Sequence, residues 1–410
     1  MTRTLMSGGS VFDAASGTIA TGDVVLEDGR IVDVGPGLDG DTSVDVTGRT
    51  LLPGLMDCHV HMAFTDFDVM RAIHSPFSLS FYESVGHLRT VLDLGITTVR
   101  DAGGADAGMQ EAVRSGIVAG PRMLITINMV SQTGGHGDPY ERCGGPNPMD
   151  LPYPGMPSAL VDGVEAVRLK VRELIRAGAD GIKVAASGGV LSPNTDSNLP
   201  QLRLDELTEL VAEAQHAGRW VMAHCHSADG ARNAVRAGVR SIEHGSFLDD
   251  DAIALMAERG TWLVPTLIAA HGVTAAAAAG QQFPARILEK AARASESAKH
   301  AVRAAHAAGV PIAMGTDCPV SPHGTNLTEL GLMVEAGLSP GEALTAATSS
   351  AARLLRLDQE LGSLEPGKRA DVVVVGGDPL SFDGYAERVE QVWKDGVLVG
   401  PGSSPRSSGI

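Results

Sequence analysis

Through most of the 410-residue chain, short apolar runs alternate with longer alanine-rich segments of helical periodicity. The apolar runs predict strands at 55–62, 96–101, 123–128, 180–186, 220–225, 240–244, 262–267 and 311–316. Intervening segments such as DGVEAVRLKVRELIRAGA and RLDELTELVAEAQHAG carry apolar residues at helical spacing. Eight successive strand-then-helix units indicate an α/β fold, the (β/α)8 TIM barrel.

The two ends of the chain follow a different pattern, in which apolar and polar positions alternate. GDVVLEDGRIVDVG predicts a hairpin that turns at Asp28–Gly29, and VEQVWKDGVLVG predicts another that turns at Asp395–Gly396. Chain ends often lie close together in folded proteins. We therefore predict one small β-sandwich domain formed by residues 1–54 and 362–410, with residues 55–361 forming the barrel.

Composition limits the partners and the location of the protein. Asp and Glu outnumber Lys and Arg by 49 to 32, which gives a net charge of −17. Such an acidic chain is not expected to bind nucleic acid or an anionic membrane surface. The first residues lack the apolar core of a signal peptide, and no apolar run reaches the ~18 residues of a membrane span. We expect a cytoplasmic homo-oligomer that acts on a small molecule.

Chemically active side chains fall at the ends of the predicted strands, where TIM barrels carry their active sites. They are His59, His61, Lys183, His224, His226, His244 and Asp317. Residues two apart in a strand share a face, so each His-x-His pair presents two imidazoles to one side. Because imidazole and carboxylate are common ligands of zinc and similar divalent ions, the set predicts a catalytic metal site.

Each of these residues also has a plainer interpretation. The histidines could be hydrogen-bonded core residues, Asp317 could cap a helix, and Lys183 could reach solvent from a strand end. A buried ammonium is costly unless it is paired or loses its charge. Since apolar Ile182 and Val184 flank Lys183, burial would favour its neutral amine.

The order of these motifs resembles the metal-dependent amidohydrolase superfamily over nearly the whole chain. A His-x-His pair follows LLPGLMD, a lysine lies in the fourth strand, and two further histidines precede GTD. The strings TTVRDAGG, SQTGGHGD, IKVAASGGV, IEHGSFLDD and LVPTL are similar to the prolidase-like branch. That branch includes Xaa-Pro dipeptidases, carboxypeptidases for other dipeptides, and ochratoxinase-type enzymes.

The resemblance implies a binuclear centre of two divalent metal ions, with zinc as the expected metal. Lys183 would be carboxylated by CO2, and its carbamate would bridge the two ions. The first ion would be bound by His59, His61, Lys183 and Asp317. The second would be bound by Lys183, His224 and His244. A hydroxide shared by the ions would attack a carbonyl, and Asp317 would carry its proton to the leaving amine.

The resemblance also assigns residues to the substrate. His136, in SQTGGHGDP, matches a family histidine that hydrogen-bonds the substrate carbonyl, although it could be an exposed loop residue; we count it with Asp317 as catalytic. Further substrate-binding candidates are His226, Ser187, Gly188, Arg203 and His323. Many relatives carry a tyrosine before the fifth strand that binds the substrate α-carboxylate. NTDSNLPQLRLDEL has none, and Arg203 is the candidate replacement.

Two segments of unusual length or composition are candidate lids. Residues 131–160 are rich in Gly and Pro and too long for a plain connection. AAHGVTAAAAAGQQFP follows the seventh predicted strand, and a surface helix is its alternative interpretation.

Hydrolysis of an amide next to a C-terminal residue, in a dipeptide or an N-acyl amino acid, is the expected activity. An esterase, a lactonase or a carbamate hydrolase would use the same metal centre and is the alternative. A deaminase is disfavoured, because mononuclear deaminases of the superfamily do not use the lysine. A non-catalytic relative would be expected to have lost metal ligands, and all six ligand positions are filled here.

Overall fold

Two β-sheets from the ends of the chain form a unit beside the barrel. The structure is a computed structural model that describes residues 2–138, 140, 144–145, 152–192, 194–278, 280 and 282–401. The early strands are β1 (Thr4–Ser7), β2 (Ser10–Asp13), β3 (Thr18–Thr21), β4 (Asp23–Glu27), β5 (Arg30–Gly35), β6 (Thr42–Asp45) and β7 (Arg49–Pro53). The late strands are β16 (Val372–Gly376), β17 (Val389–Lys394) and β18 (Val397–Gly400). They form a four-stranded sheet, β5-β4-β1-β6, and a six-stranded sheet, β18-β17-β16-β7-β2-β3.

Both predicted hairpins are confirmed. Asp28–Gly29 joins β4 to β5, and Asp395–Gly396 joins β17 to β18. In each turn the Asp has φ 49° and the Gly has φ 74°, the pair of positive angles that a two-residue type I′ turn requires. Because β7 pairs with β16, strands from both ends of the chain share one sheet. The domain boundaries at residues 54 and 362 stay a prediction.

The uninterrupted valines of β16 are explained by a sheet that is covered on both faces. Alternate residues of a strand point to opposite sides. Val372 and Val374 belong to the core of the β-sandwich, together with Leu51. Val373 and Val375 belong to the large hydrophobic core of the barrel. The six-stranded sheet therefore joins the two cores.

Parallel strands form the barrel. They are β8 (Leu55–Val60), β9 (Ile96–Asp101), β10 (Arg122–Ile125), β11 (Met129–Val130), β12 (Gly181–Ala185), β13 (Trp220–Ser227), β14 (Ser241–Phe247) and β15 (Trp262–Val264). They are arranged in two sheets, β10-β9-β8 and β11-β12-β13-β14-β15. The third predicted strand, 123–128, ends early, since β10 ends at Ile125 and β11 begins only at Met129; between them Ile127 has φ 67° and interrupts the extended backbone.

The eighth predicted strand, 311–316, has isolated bridges rather than a continuous ladder within the described residues. On one side, Leu263 N donates to Pro311 O at 2.9 Å and Ala313 N donates to Leu263 O at 3.1 Å. On the other side, Cys58 N donates to Met314 O at 2.9 Å. The segment therefore lies between β15 and β8 and completes the strand order of the barrel, although the ladder is not closed.

Helices cover the outside of the barrel. They are α1 (Val69–His74), α2 (Leu79–Asp93), α3 (Ala107–Arg114), α4 (Val164–Arg176), α5 (Leu204–His216), α6 (Ala228–Ala237), α7 (Asp250–Arg259), α8 (Leu267–Ala278), α9 (Ala285–Ala307), α10 (Thr328–Glu335), α11 (Pro340–Ala346) and α12 (Ser349–Leu355). A 3-10 helix spans Ala386–Arg388. Among the described residues, no helix is long and apolar enough to cross a membrane.

The two candidate lids are described only in part. Residues 139, 141–143 and 146–151 of the first lie outside the described residues. The second begins as α8, the helical alternative, and its residues 279 and 281 lie outside the described residues. Neither segment is assigned a lid function by its conformation.

A substitution at Gly181 tests how tightly the strand that carries Lys183 packs against its neighbour. A Cβ on Gly181 would lie 2.2 Å from Cε3 of Trp220 on the next strand. We expect Gly181→Ala to lower the free energy of unfolding by roughly 1–3 kcal/mol, because the methyl group would overlap the indole.

Gly86 in α2 provides the matched control, since no heavy atom lies within 4 Å of its Cβ position. Gly86→Ala should raise the free energy of unfolding by up to about 1 kcal/mol, the difference in helix propensity. Urea denaturation followed by circular dichroism measures both variants. An unfolding midpoint for Gly181→Ala at or above that of the parent would contradict the close packing.

Candidate functional site

Lys183 points from β12 into the barrel. Ile182 and Val184 pack in the core between the strands and the helices, so alternation along the strand turns Lys183 the other way. Its side chain is 1% exposed, and its Nζ lies 3.1 Å from Nε2 of His59. Burial lowers the pKa of Lys183 to about 8. At pH 7 the amine of Lys183 would then be neutral in roughly a tenth of the molecules, a far larger fraction than for an exposed lysine.

His59 and His61, at the end of β8, converge on one oxygen of Asp317. Asp317 Oδ1 lies 3.2 Å from His59 Nε2 and 3.1 Å from His61 Nε2. Burial by itself would raise the pKa of Asp317, but His59 and His61 outweigh burial and hold that pKa well below its usual range. Asp317 is therefore an anionic carboxylate between two imidazoles.

His224 and His244 face each other across β13 and β14. His224 Nδ1 lies 2.9 Å from His244 Nε2, and His244 Nδ1 lies 2.6 Å from Thr266 Oγ1. Burial lowers the pKa of both histidines well below the usual value. Both rings are therefore neutral at physiological pH, and each has a lone pair to offer to a cation.

Two overlapping groups of donor atoms could hold metal ions. The ligand atoms of His59, His244 and Asp317 lie within 4.8 Å of one another. The same holds for His224, His226 and His244. Neutral imidazoles with an anionic carboxylate suit a divalent ion such as zinc. The residues present thus fit a metal centre.

Several residues at the ends of the strands adopt left-handed backbone conformations. The φ angles are 72° for His244, 49° for Thr266 and 60° for Asp317. Non-glycine residues with positive φ are uncommon and tend to cluster at functional sites. Backbone bonds hold Asp317 in place, since its N–H donates to His59 O at 2.7 Å. The fold therefore accepts local strain where it turns these side chains inward.

A buried ion pair supports the first histidine from below. Arg100 Nη2 donates to Glu243 Oε1 at 2.9 Å, and Arg100 Nε donates to Cys58 O at 2.6 Å. Burial by itself would raise the pKa of Glu243, but Arg100 and His59, together with Lys183, outweigh burial and lower that pKa to about 2. Glu243 Oε2 lies 2.8 Å from His59 Nδ1. The carboxylate thus accepts a hydrogen bond from His59 Nδ1–H, which leaves Nε2 as the ligand atom.

Glu243 was not singled out from the sequence, although it carried a signal. It is an acidic residue inside a buried apolar strand, directly before His244. Buried carboxylates need partners, so its position pointed to a supporting role. The basic partner, Arg100, lies about 140 residues earlier in the chain, and no local pattern connects the two.

Two buried aspartates fix the backbone around the first histidine pair. Asp57 Oδ1 accepts from the N–H groups of His59 and Thr316, both at 3.1 Å. Asp101 Oδ2 accepts from Met62 N at 2.7 Å. These bonds set the positions from which His59 and His61 project.

His136 lies against the second histidine pair, as expected for a residue of the site. Its ring centroid is 4.1 Å from that of His224, and its backbone N–H donates to Gln201 Oε1 at 2.9 Å. Burial, followed by the charge of Lys183, lowers the pKa of His136 to about 4. Its buried Nδ1 has no hydrogen-bond partner within the described residues. A neutral, unpartnered imidazole is free to bind a ligand.

Ser187, Gly188 and His226 also adjoin this pair. Ser187 Oγ accepts from His226 N at 2.8 Å, and Gly188 O lies 3.4 Å from His224 Nε2. The His226 ring stacks on His244 with centroids 4.8 Å apart. The three residues are brought to the site, and their contact with substrate stays a prediction.

Arg203 and His323 lie elsewhere. Arg203 precedes α5, and its side chain is 83% exposed and 3.3 Å from Asp205, so the structure does not bring it to the histidines. Arg203 lies at the start of a helix, where a long charged side chain extends into water. The prediction from sequence did not take this position into account. His323 stacks on His87 with ring centroids 4.6 Å apart, and its Nε2 donates to Phe64 O at 3.0 Å. It lies behind the first histidine pair.

Aromatic side chains flank the more open edge of the site. His61 and Asp317 have side chains 16% exposed, more than the other ligand candidates. The rings of Phe64 and Phe67 lie 6.0 and 5.9 Å from that of His61. A molecule that reaches His61 and Asp317 therefore passes an apolar wall.

Known proteins similar to this chain have the same overall fold. The sequence matches the family model described as Amidohydrolase family over residues 50–399. Ochratoxinase from Aspergillus niger is 36% identical over 375 residues, which cover 87% of this chain and 77% of that protein. A solved Xaa-Pro dipeptidase with bound methionine has TM-score 0.88 and 34% identity, covering 97% of this chain and 100% of its own. A solved prolidase complexed with N-methylphosphonate-L-proline has TM-score 0.89 and 37% identity, covering 97% and 99%.

The Arg100–Glu243 pair gives a prediction for stability. We expect Glu243→Gln to lower the free energy of unfolding by roughly 3–5 kcal/mol, because Arg100 would remain buried without a counter-charge. The double variant Arg100→Met/Glu243→Leu should be more stable than Glu243→Gln, since it removes both charges. Chemical denaturation measures all three proteins.

Glu111→Gln is the matched control, because Glu111 pairs with Arg114 on an exposed helix face. It should change the free energy of unfolding by less than about 1 kcal/mol. If Glu243→Gln lowers the free energy of unfolding no more than Glu111→Gln does, the buried pair does not support the site in the way described.

Proposed function

Because this chain belongs to the amidohydrolase family, we propose that it cleaves the amide bond of a dipeptide or an N-acyl amino acid with the help of two divalent metal ions. The chain is a hydrolase that acts on C–N bonds. Two relatives are a Xaa-Pro dipeptidase and a prolidase bound to a proline phosphonate, which supports a substrate with a C-terminal amino acid.

The convergence of the Lys183 amine and the Asp317 carboxylate on His59 is the observation that carries this proposal. Lys183 Nζ and Asp317 Oδ1 lie 3.1 and 3.2 Å from the same atom, His59 Nε2. The His59 and His244 rings are 5.0 Å apart, so the two predicted ligand sets adjoin. An amine, a carboxylate and several imidazoles in one buried volume have few other uses.

Lys183 would serve this centre in its carboxylated form. Only a neutral amine adds CO2, and burial lowers the pKa of Lys183 to about 8. The resulting carbamate would be an anionic ligand for both ions, the first also bound by His59, His61 and Asp317. The second ion would also be bound by His224 and His244. Bound there, the ions would act as Lewis acids and lower the pKa of a bound water.

The side chains of the site have separate tasks in the hydrolysis. Asp317, an anion at neutral pH, would accept the proton of the attacking water and transfer it to the leaving amine. His136, in the tautomer protonated at its unpartnered Nδ1, would donate a hydrogen bond to the substrate carbonyl oxygen. Phe64 and Phe67 would contact an apolar part of the substrate. Arg203 has no role in this proposal, since its guanidinium lies in solvent.

A substrate panel tests the proposed reaction. Protein stripped with a chelator and reconstituted with Zn²⁺ is assayed on Xaa-Pro and other dipeptides, N-acyl amino acids, lactones, aryl esters and carbamates. We expect amide hydrolysis by the reconstituted protein only. Asp317→Asn should lower kcat by at least about 10²-fold while the fold is retained. Turnover of lactones, esters or carbamates without amides would replace this proposal with the corresponding hydrolase.

Lys183→Ala tests the bridging ligand. We expect the variant to lose activity and to bind fewer than the roughly two ions per chain of a binuclear hydrolase, because both ions lose a shared ligand. Short carboxylic acids such as formate should restore part of the activity by occupying the vacated space. Metal content is measured by mass spectrometry, with Lys299→Ala on the surface of α9 as the control. Two ions and full turnover in Lys183→Ala would exclude the carbamate.

A further inference from the structure

The segment 187–201 follows β12, and its described residues, 187–192 and 194–201, form the wall of the site behind His136. Gly189 packs so closely on His136 that a Cβ there would lie 2.1 Å from the ring atom Cε1. Gly188 O faces His224 Nε2 at 3.4 Å. Gln201 accepts the N–H of His136 at 2.9 Å. The position of this segment therefore decides where the His136 ring can lie.

Lys290 in α9 holds the segment from its outer side. Its Nζ donates to Gly189 O at 2.7 Å, Ser192 O at 2.7 Å and Thr195 O at 2.9 Å. An ammonium has three N–H donors, and all three are used. The side chain is 7% exposed. Lys290 thus has no N–H donor left for a substrate, and its side chain is buried.

The environment of Lys290 is unusual for a lysine on a helix. It falls on the buried face of α9 in register with Ile287, Ala291 and Ala294. Within the described part of the chain, no carboxylate forms an ion pair with it. Its charge is balanced by carbonyl dipoles of one short segment. A lysine that only anchored the helix to the barrel would not need to converge on three carbonyls of a loop.

We propose that Lys290 is a positioning residue that clamps the 187–201 segment and thereby orients His136 toward the substrate. Ile287 and Ala291 pack with Val190 and Leu191 of the same segment, so an apolar contact would remain when the ammonium is removed. The clamp rests on the contacts above. Its effect on turnover rests in addition on the proposed amide hydrolysis.

Hydrogen exchange tests the clamp without any activity measurement. The full-length protein is compared with Lys290→Met, Lys290→Arg and Lys299→Met. Lys290→Met keeps an unbranched apolar chain but has no donors, whereas arginine can still donate to several carbonyls. Lys299, also on α9, pairs with Glu335 at the surface and provides the control.

We expect the amides of 187–201 and 131–138 to exchange at least about tenfold faster in Lys290→Met, and exchange elsewhere in the chain to be unchanged. Lys290→Arg should show a smaller increase, and Lys299→Met none. Unchanged exchange in both segments of Lys290→Met would overturn the proposal. An equal increase over the whole barrel would also overturn it, because it would make Lys290 a general stability residue.

A double-mutant cycle with His136→Ala tests whether the clamp acts through His136. With a substrate found in the panel, Lys290→Met should lower kcat about tenfold and change KM less than about threefold, with metal content retained. In the His136→Ala background the same substitution should lower kcat less than about twofold. An equal loss in both backgrounds would overturn the link to His136. If no substrate is turned over, the proposed function fails, and the hydrogen-exchange comparison of both segments decides the clamp.

Discussion

The cost of placing charges out of water governs the centre of this barrel. Lys183, Arg100 and Glu243 are almost fully buried, and an isolated ion in such a place would cost several kcal/mol. Glu243 meets Arg100 on one side and His59 on the other, and His59 continues to Lys183 and Asp317. The contacts thus link positive and negative groups through the imidazole of His59. The position of each candidate ligand therefore depends on a balance of buried charges to which several residues contribute.

Side-chain hydrogen bonds do the work of a strand ladder where the barrel is least regular. The 311–316 segment has few ladder bonds to its neighbours. Asp57 compensates: its carboxylate accepts from the backbone and hydroxyl of Thr316, and from Asn326 Nδ2 at 2.9 Å. Because Asp57 also binds the His59 N–H, it ties the first and last elements of the barrel together. The result is a fixed distance between His59 and Asp317.

The sequence predicted what depends on short-range patterns. Apolar periodicity located the strands, and the His-x-His spacing predicted which side chains share a face. Glu243 as the partner of Arg100, and the contacts of Lys290, were beyond it, because these partners are distant in the chain. Lys290 did lie on the apolar face of its helix, a signal that shows burial but not the partner. Arg203 was expected near the histidines, yet a helix start directed it to water. The third strand is interrupted at Ile127 by a single backbone angle that no pattern encodes.

The pairing of β7 with β16 has a consequence for biosynthesis. Leu52 finds its partner, Val373, about 320 residues later in the chain, a separation that makes this contact late to form. During synthesis the barrel elements leave the ribosome before the six-stranded sheet can be completed. Until then β2, β3 and β7 present an unpaired edge. The six-stranded sheet is thus completed only when the C-terminal strands dock onto strands that were synthesised first.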